Sequence, residues 1–158
     1  MKKVVVLSVV LFASVIVMNA QPRAIGGRFT HGGEVSYQHG LGSNMLQIDV
    51  GFPFFRDGIG LQGVITHDWL FPISSWKHEG SWNWYPGIGA GVGLGGFNHS
   101  YFFLGIAGMI GIEYNFKFPL QLSLDYRPII GWNLGEKNFY GDGLYRGTTV
   151  ALGIRYKF

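Results

Sequence analysis

Apolar residues alternate with small or polar residues along almost the whole chain after residue 20. A two-residue period indicates β-strands, because successive side chains of a strand point to opposite faces of its sheet. In the last segment one face carries Val150, Leu152, Ile154, Tyr156 and Phe158, and the other carries Thr149, Ala151, Gly153, Arg155 and Lys157. With no heptads and no amphipathic helical stretch in the sequence, the pattern predicts an all-β protein.

Eight alternating segments can be counted, and clusters of Gly, Asn, Asp, Pro and Ser separate them at hairpin lengths. The segments cover residues 24–30, 34–39, 46–54, 59–70, 81–94, 104–114, 120–127 and 149–158. The longest connections between them are predicted at residues 71–80 and 134–143. An even number of strands suits an antiparallel up-and-down barrel with both chain ends on one side. We therefore predict one eight-stranded barrel domain over residues 21–158.

Residues 1–20 follow a different pattern. Lys2 and Lys3 precede a near-continuous apolar run from Val4 to Met18, and the small residue Ala20 follows. This order is typical of a secretory signal peptide with its cleavage site, and the run is shorter than the roughly 20 residues of a membrane-spanning helix. Without Lys2 and Lys3, the 12 Lys+Arg fall to 10 against 9 Asp+Glu, so the net charge of the exported chain is +1. Such a balance gives no reason to expect a nucleic-acid partner.

The two faces of the strands differ in a way that separates a membrane barrel from a soluble one. The apolar face carries large side chains at almost every position, which would overfill the narrow interior of an eight-stranded barrel. The opposite face carries small and charged residues, and the predicted polar network of the lumen consists of Arg28, Glu34, Asp49, Asp68, Glu113, Asp125, Arg127 and Arg155. These differences favour an eight-stranded antiparallel transmembrane β-barrel over a soluble barrel with an apolar interior.

Aromatic residues gather near the strand ends in two sets, as they do at the two interfaces of a membrane. One set is Trp69, Trp82, Trp84, Tyr114, Phe116, Tyr156 and Phe158, and the other is Phe52, Phe54, Tyr101, Phe102 and Trp132. Single aromatic pairs occur in any β protein, so only the division into two rims is informative.

A glycine-rich stretch, "YPGIGAGVGLGG" at residues 85–96, contains a literal G-x-G-x-x-G. A phosphate-binding loop of this kind must open a helix, but an alternating segment follows Gly96, so we interpret the stretch as a strand. Its lumen-facing glycines form a predicted glycine wall, Gly87, Gly89, Gly91 and Gly93. Such glycines permit close approach by other groups. Two interpretations are a small-ligand cavity, or room for bulky lumen side chains such as Tyr85, Phe103, Met109 and Arg127.

The apolar run of residues 4–18, the eight alternating segments and the C-terminal "GIRYKF" resemble the small eight-stranded outer-membrane β-barrel proteins of Gram-negative bacteria. The stretches "GEVSYQHGLGSNMLQIDVGF" and "GIEYNFKFPLQLSLDYRP" are similar to a poorly characterised subgroup of these barrels. The resemblance implies location in the cell outer membrane, in contact with its lipid, after handling by the secretion machinery and the barrel assembly machinery. It also implies an assembly signal at Leu152, Ile154, Tyr156 and Phe158.

Catalytic chemistry is not expected from this sequence. His67 is followed by Asp68 and His99 by Ser100, but adjacent residues of a strand face opposite ways, so neither pair is set for a base-to-nucleophile hydrogen bond. The five histidines are spread over separate segments, and without cysteine no thiolate zinc site is expected. No catalytic, metal or cofactor-binding residues are therefore predicted.

Three functions stay open at this point, and a ligand is not identified. The first is a structural or interaction role with a largely plugged polar lumen, and the second is a small pore or carrier for apolar or minor solutes. The third is modification of outer-leaflet lipid by acyl transfer or deacylation. Plugging requires the lumen charges to be paired. With hairpin centres near Lys117 and Phe139, Glu113 and Arg155 sit at similar depth two strands apart, with Ser123 between them, and we expect them to lie within reach of each other across the lumen.

Overall fold

A computed structural model describes residues 21–55, 58–76, 79–95, 101–133, 138–142 and 150–158. Within these ranges the secondary structure consists of β-strands, without a helix. The strands are β1 (Gln21–Phe29), β2 (Gly32–Leu41), β3 (Asn44–Phe55), β4 (Gly58–Ile59), β5 (Leu61–Trp69), β6 (Phe71–Pro72), β7 (Ser81–Gly95), β8 (Tyr101–Asn115), β9 (Leu120–Tyr126), β10 (Ile129–Asn133), β11 (Asn138–Asp142) and β12 (Val150–Lys157). The described residues thus offer no long apolar helix that could cross a membrane. Residues 1–20, which carry the predicted signal peptide, lie outside the described ranges.

The strands close into an eight-stranded antiparallel barrel, which confirms the predicted all-β fold and strand number. Around the barrel the order is β1, β2, β3, β5, β7, β8, β9 and β12, and β12 pairs with β1 to complete the circle. Closure leaves these strands without a free edge, so their main-chain hydrogen bonds are made within the barrel. The turn between β2 and β3 leaves two residues between the strands, and Gly42 in it has a φ of +71° that favours glycine.

Four shorter strands extend the barrel beyond the predicted segments. β4 pairs with β3 and β6 pairs with β7, so part of the predicted connection 71–80 is a strand. β10 continues the line of β9 along β8 after a break at Pro128, which has no N–H to donate. β11 pairs with β10, so the prediction of a turn over the whole of 134–143 was wrong. Gly and Asp residues near 141–143 are typical of turns, which led to the prediction. The pairing of residues 138–142 with β10 gives the segment its strand conformation.

The distribution of apolar and polar side chains over the two faces of the barrel is the reverse of that in a soluble protein. Along β8, Phe103, Ala107 and Met109 are buried, whereas Leu104 and Ile106 between them are 50% and 63% exposed. The same alternation holds around the barrel, with large apolar side chains outward and polar, charged or small ones inward. The core of the molecule is therefore the narrow space inside the barrel.

The two ends of the barrel carry separate groups of aromatic side chains. We call the end that contains Gln21 and Phe158 the terminal rim, and the opposite end the distal rim. The outward aromatic side chains near the terminal rim are Trp69, Phe71, Trp76, Trp82, Trp84, Tyr114, Phe116, Phe118, Tyr156 and Phe158. Those near the distal rim are Phe29, Phe52, Phe54, Phe102 and Trp132, and the side chain of Tyr101 lies outside the described part of the structure. The division into two rims follows the grouping expected from the sequence.

Candidate functional site in the barrel interior

The eight polar residues of the predicted lumen network all lie inside the barrel, and none is more than 6% exposed. They come from β1, β2, β3, β5, β8, β9 and β12, and from the break between β9 and β10. Buried charge is tolerated in a protein interior when it is paired and hydrogen-bonded. The arrangement of partners therefore determines what this interior can do.

Two arginines and three carboxylates form the central network. Glu34 accepts hydrogen bonds from both arginines, 2.6 Å from Arg28 Nη1 and 2.6 Å from Arg127 Nη2. Arg28 also donates to Asp125 Oδ1, at 2.8 Å from Nε and 2.5 Å from Nη2, and Arg127 pairs with Asp49. Arg28 and Glu34 lie directly opposite each other on β1 and β2, which places one ion pair in register. The other contacts reach across the interior and connect distant strands.

A second cluster surrounds Glu113, which is fully buried. Its Oε1 accepts hydrogen bonds from Asn83 at 2.8 Å and from Asn115 at 2.9 Å, and it pairs with Arg23. The Glu113–Arg23 pair was not predicted, because Arg23 lies before the first predicted segment and next to the inward Ala24. An irregularity in the β1–β2 pairing between Pro22 and Ala24 accompanies this break in the alternation.

Glutamines connect the two clusters, and sequence reasoning missed them. Arg23 Nη1 donates to Gln38 Oε1 at 2.5 Å, Gln38 donates to Gln47 at 2.8 Å, and Gln47 donates to Asp49 Oδ2 at 2.9 Å. Gln38 and Gln47 are fully buried and face each other on β2 and β3. In the two-residue alternation, Gln38 lies on the same face of its strand as Glu34, and Gln47 lies on the same face as Asp49. That shared face was the signal that could have identified both glutamines.

The expected direct pairing of Glu113 with Arg155 is not formed. Arg155 donates to Ser36 at 2.9 Å and to Ser123 at 2.7 Å. Gln121 lies between the two charges, since it donates to Glu113 Oε2 at 3.2 Å and accepts from Arg155 Nη1 at 3.4 Å. The reason is geometric: β9 lies between β8 and β12, and the side chain of Gln121 on β9, the register partner of Arg155, stands between the two charges. Ser123 was placed correctly as a neighbour of Arg155.

Two buried charged groups stand outside the ion pairs of the described residues. Asp68 accepts a hydrogen bond from Thr66 at 3.0 Å, but its Oδ1 has no hydrogen-bond partner among those residues. Arg155 has the hydrogen bonds given above, and its Nη2 is likewise unpartnered within the described chain. Within the central network, Asp49 Oδ1 also has no hydrogen-bond partner among the described residues. The interior thus combines paired charges with two carboxylates and one guanidinium that are only partly satisfied.

Three of the four wall glycines face side chains that occupy the interior. A methyl group on Gly93 would lie 2.6 Å from Phe103 Cζ, one on Gly87 would lie 2.8 Å from Asp68 Cγ, and one on Gly91 would lie 3.1 Å from Ile129 Cδ1. At Gly89 the nearest atoms belong to the main chain of β5. These contacts support the interpretation that the wall makes room for other groups. Phe103 was named correctly among those groups, whereas the Tyr85 ring packs over Gly111 instead.

Two clusters of buried apolar side chains share the interior with the polar network. One cluster contains Val64, Phe103, Ala107 and Ile129, and the other contains Met45, Tyr85 and Met109 with Leu70 packed against it. Phe103 and Tyr85 are among the largest fully buried side chains of the described structure. The described interior is therefore packed with side chains along the barrel.

The described histidines lie away from this interior. His39 is hydrogen-bonded through Nδ1 to the Tyr37 hydroxyl at 2.8 Å, and His67 packs edge-on against Trp69 with ring centroids 5.0 Å apart. Within the described ranges no group of three or more His, Cys, Asp or Glu side chains is arranged to hold a metal ion. His78 and His99 lie outside those ranges.

The predicted assembly-signal residues form a row on the outer face of β12 and just beyond it. Leu152, Ile154, Tyr156 and Phe158 are 48%, 42%, 55% and 69% exposed. The Tyr156 and Phe158 rings contact each other edge to face, with centroids 5.7 Å apart. The row is thus accessible along the seam where the last strand meets the first.

No protein-family model, curated protein or solved structure matches this chain. Membership of the outer-membrane barrel family therefore stays a prediction from the sequence features described above.

Proposed function

We propose that this chain is an integral outer-membrane β-barrel protein with a structural or interaction role, exported by a cleaved signal peptide at residues 1–20. The observation that carries the proposal is the inverted distribution of side chains: the outer face of the barrel is apolar and the inner face is polar and charged. In water, an exposed apolar surface of this extent would far exceed the few hundred Å² found on soluble monomers. In a bilayer the same surface is the normal lipid-facing band.

The dimensions of the barrel support a membrane location. Strands of about 9 to 11 residues cross a bilayer when they are tilted. In order around the barrel, the eight strands have 9, 10, 12, 9, 15, 15, 7 and 8 residues, and β10 continues the line of the 7-residue β9. Aromatic rims at both ends of the apolar band suit the two interfaces between lipid and water. A closed barrel also satisfies the main chain internally, which a membrane requires.

The packed interior supports an interaction role over transport. Conduction requires a continuous path through the barrel, whereas the charge network and the two apolar clusters occupy the space inside. The pore and the lipid-modifying enzyme stay as alternatives with separate tests. Ion conductance in planar bilayers tests the pore, and the lipid profile of a deletion strain tests the enzyme.

Membrane fractionation followed by gel electrophoresis with and without boiling tests the proposal. A folded barrel in the outer-membrane fraction should migrate differently before and after boiling, because the closed sheet resists detergent until it is heated. A protein found soluble in the periplasm, with unchanged mobility, would contradict the membrane location. Sequencing the N-terminus of the exported protein tests cleavage after Ala20.

A further inference from the structure

An open groove of about 450 Å³ lies on the outer side of the terminal rim. Four aromatic side chains line it together with one acidic and one basic residue: Trp82, Tyr114, Phe116, Phe118, Glu79 and Lys117. The volume falls within the range of small-molecule sites in proteins. None of these six residues belongs to the charge network of the interior.

The aromatic lining is a continuous ladder of rings. Centroid distances are 4.7 Å from Trp82 to Tyr114, 4.6 Å from Tyr114 to Phe116 and 4.8 Å from Phe116 to Phe118. Phe118 is 56% exposed, so the ladder ends at the surface. Rings of this kind at a barrel rim suit an amphiphile that lies between lipid and water.

The two charged residues at the groove have opposite signs, and neither forms an ion pair within the described part of the chain. Both Glu79 and Lys117 are exposed. A second cation lies beside the lining, since the Lys157 ammonium donates to the main-chain carbonyl of Phe116 at 2.6 Å. A ligand that carries one positive and one negative group would complement Glu79 on one side and Lys117 on the other. An anionic ligand would meet Lys117 favourably but would be repelled by Glu79.

We propose that this groove binds the headgroup of a zwitterionic aminophospholipid from the surrounding bilayer, an inference that rests on the proposed membrane location. The lipid phosphate pairs with Lys117, the primary ammonium donates hydrogen bonds to Glu79, and the glycerol and upper acyl chain lie along the ring ladder. The Trp82 indole N–H is buried without a partner among the described residues, and Trp82 lines the groove, so a lipid oxygen is a candidate acceptor for it.

Fluorescence quenching in vesicles tests the site. Two single-tryptophan proteins are made by replacing the other tryptophans with phenylalanine, one keeping Trp82 in the groove and one keeping Trp132 at the distal rim as the control. Each is refolded into phosphatidylcholine vesicles that contain the same fraction of acyl-brominated phosphatidylethanolamine, phosphatidylglycerol or phosphatidylcholine. Circular dichroism and the mobility shift on boiling verify that each protein is folded.

The expected result is preferential quenching of Trp82, but not of Trp132, by brominated phosphatidylethanolamine. Because a charged contact near a membrane surface changes binding about fivefold, Glu79→Gln should lower the preference over phosphatidylglycerol by about that factor. Lys117→Gln should weaken binding of both phospholipids.

The other outcomes separate the two proposals. Equal quenching of Trp82 by all three lipids, or stronger quenching by phosphatidylglycerol, would overturn the lipid site while leaving the membrane location intact. Absence of quenching at both Trp82 and Trp132 would instead contradict the membrane location itself.

Discussion

The central charge network gives the sharpest stability prediction, through removal of Arg28. Arg28 is 1% exposed, and its guanidinium makes three hydrogen bonds, two to Asp125 and one to Glu34. In Arg28→Met, Glu34 keeps its bond to Arg127, whereas the one hydrogen bond left to Asp125 from the described side chains is that of the Tyr85 hydroxyl at 3.5 Å. Removing one partner of a buried ion pair costs about 3–5 kcal/mol, because the remaining charge is left uncompensated. We expect a loss of that size in the free energy of unfolding.

The matching carboxylate variant makes the test a double-mutant cycle. Asp125→Asn should cost less, about 1–3 kcal/mol, because Arg28 retains its bond to Glu34. The double variant removes both charges, so no unpaired Asp125 carboxylate is left buried. Its loss in the free energy of unfolding should therefore be about 2 kcal/mol smaller than the sum of the two single losses. Urea titration of the protein refolded in lipid vesicles, followed by tryptophan fluorescence, measures each free energy.

Asp68 supplies the matched control, because it is also a fully buried carboxylate but forms no ion pair with Arg28. Arg28→Met and Asp68→Asn should be additive within about 0.5 kcal/mol, as expected for sites without shared partners. Additivity between Arg28→Met and Asp125→Asn would refute the reasoning, since it would mean that the buried contact couples no energy.

Further predictions concern the glycine wall, the partly satisfied carboxylate and the second cluster. Gly89→Ala should lower the free energy of unfolding by about 3 kcal/mol and Gly91→Ala by about 1 kcal/mol, the two ends of the usual range for overpacking. The difference is expected because Gly89 faces the rigid main chain of β5, whereas Gly91 faces side-chain methyl groups that can move. Equal losses for the two variants in urea titrations would contradict this explanation. Asp68→Asn should leave the midpoint unchanged or raise it, because it removes a buried charge outside the ion pairs of the described residues, and a large loss would indicate an unseen partner. Charge-removing variants of Arg23 and Glu113 should be coupled by about 0.5–3 kcal/mol, and an additive cycle would contradict their ion pair.

The two-residue alternation was sufficient to predict the fold, but it was insufficient to predict which side chains pair with each other inside the barrel. The alternation predicts whether a side chain points inward or outward from its position in its own strand, independently of the neighbouring strands. The burial of Asp49 and the exposure of Ile106 could be predicted in this way. The alternation does not give the register between strands, so it could not show that Gln121 lies between Glu113 and Arg155. It also fails where the alternation itself breaks, as at Arg23.

The sequence by itself determined the class of the fold, the number of strands around the barrel and the polarity of its two faces, because these depend on a two-residue period and on turn residues that act locally. Only the tertiary structure decided which charges meet, that the 138–142 segment is a strand, and that the wall glycines lie against Asp68, Ile129, Phe103 and the main chain of β5. Those outcomes depend on the stagger of strands around a closed barrel. Stagger is set by the whole ring of hydrogen-bonded pairs and not by any single segment.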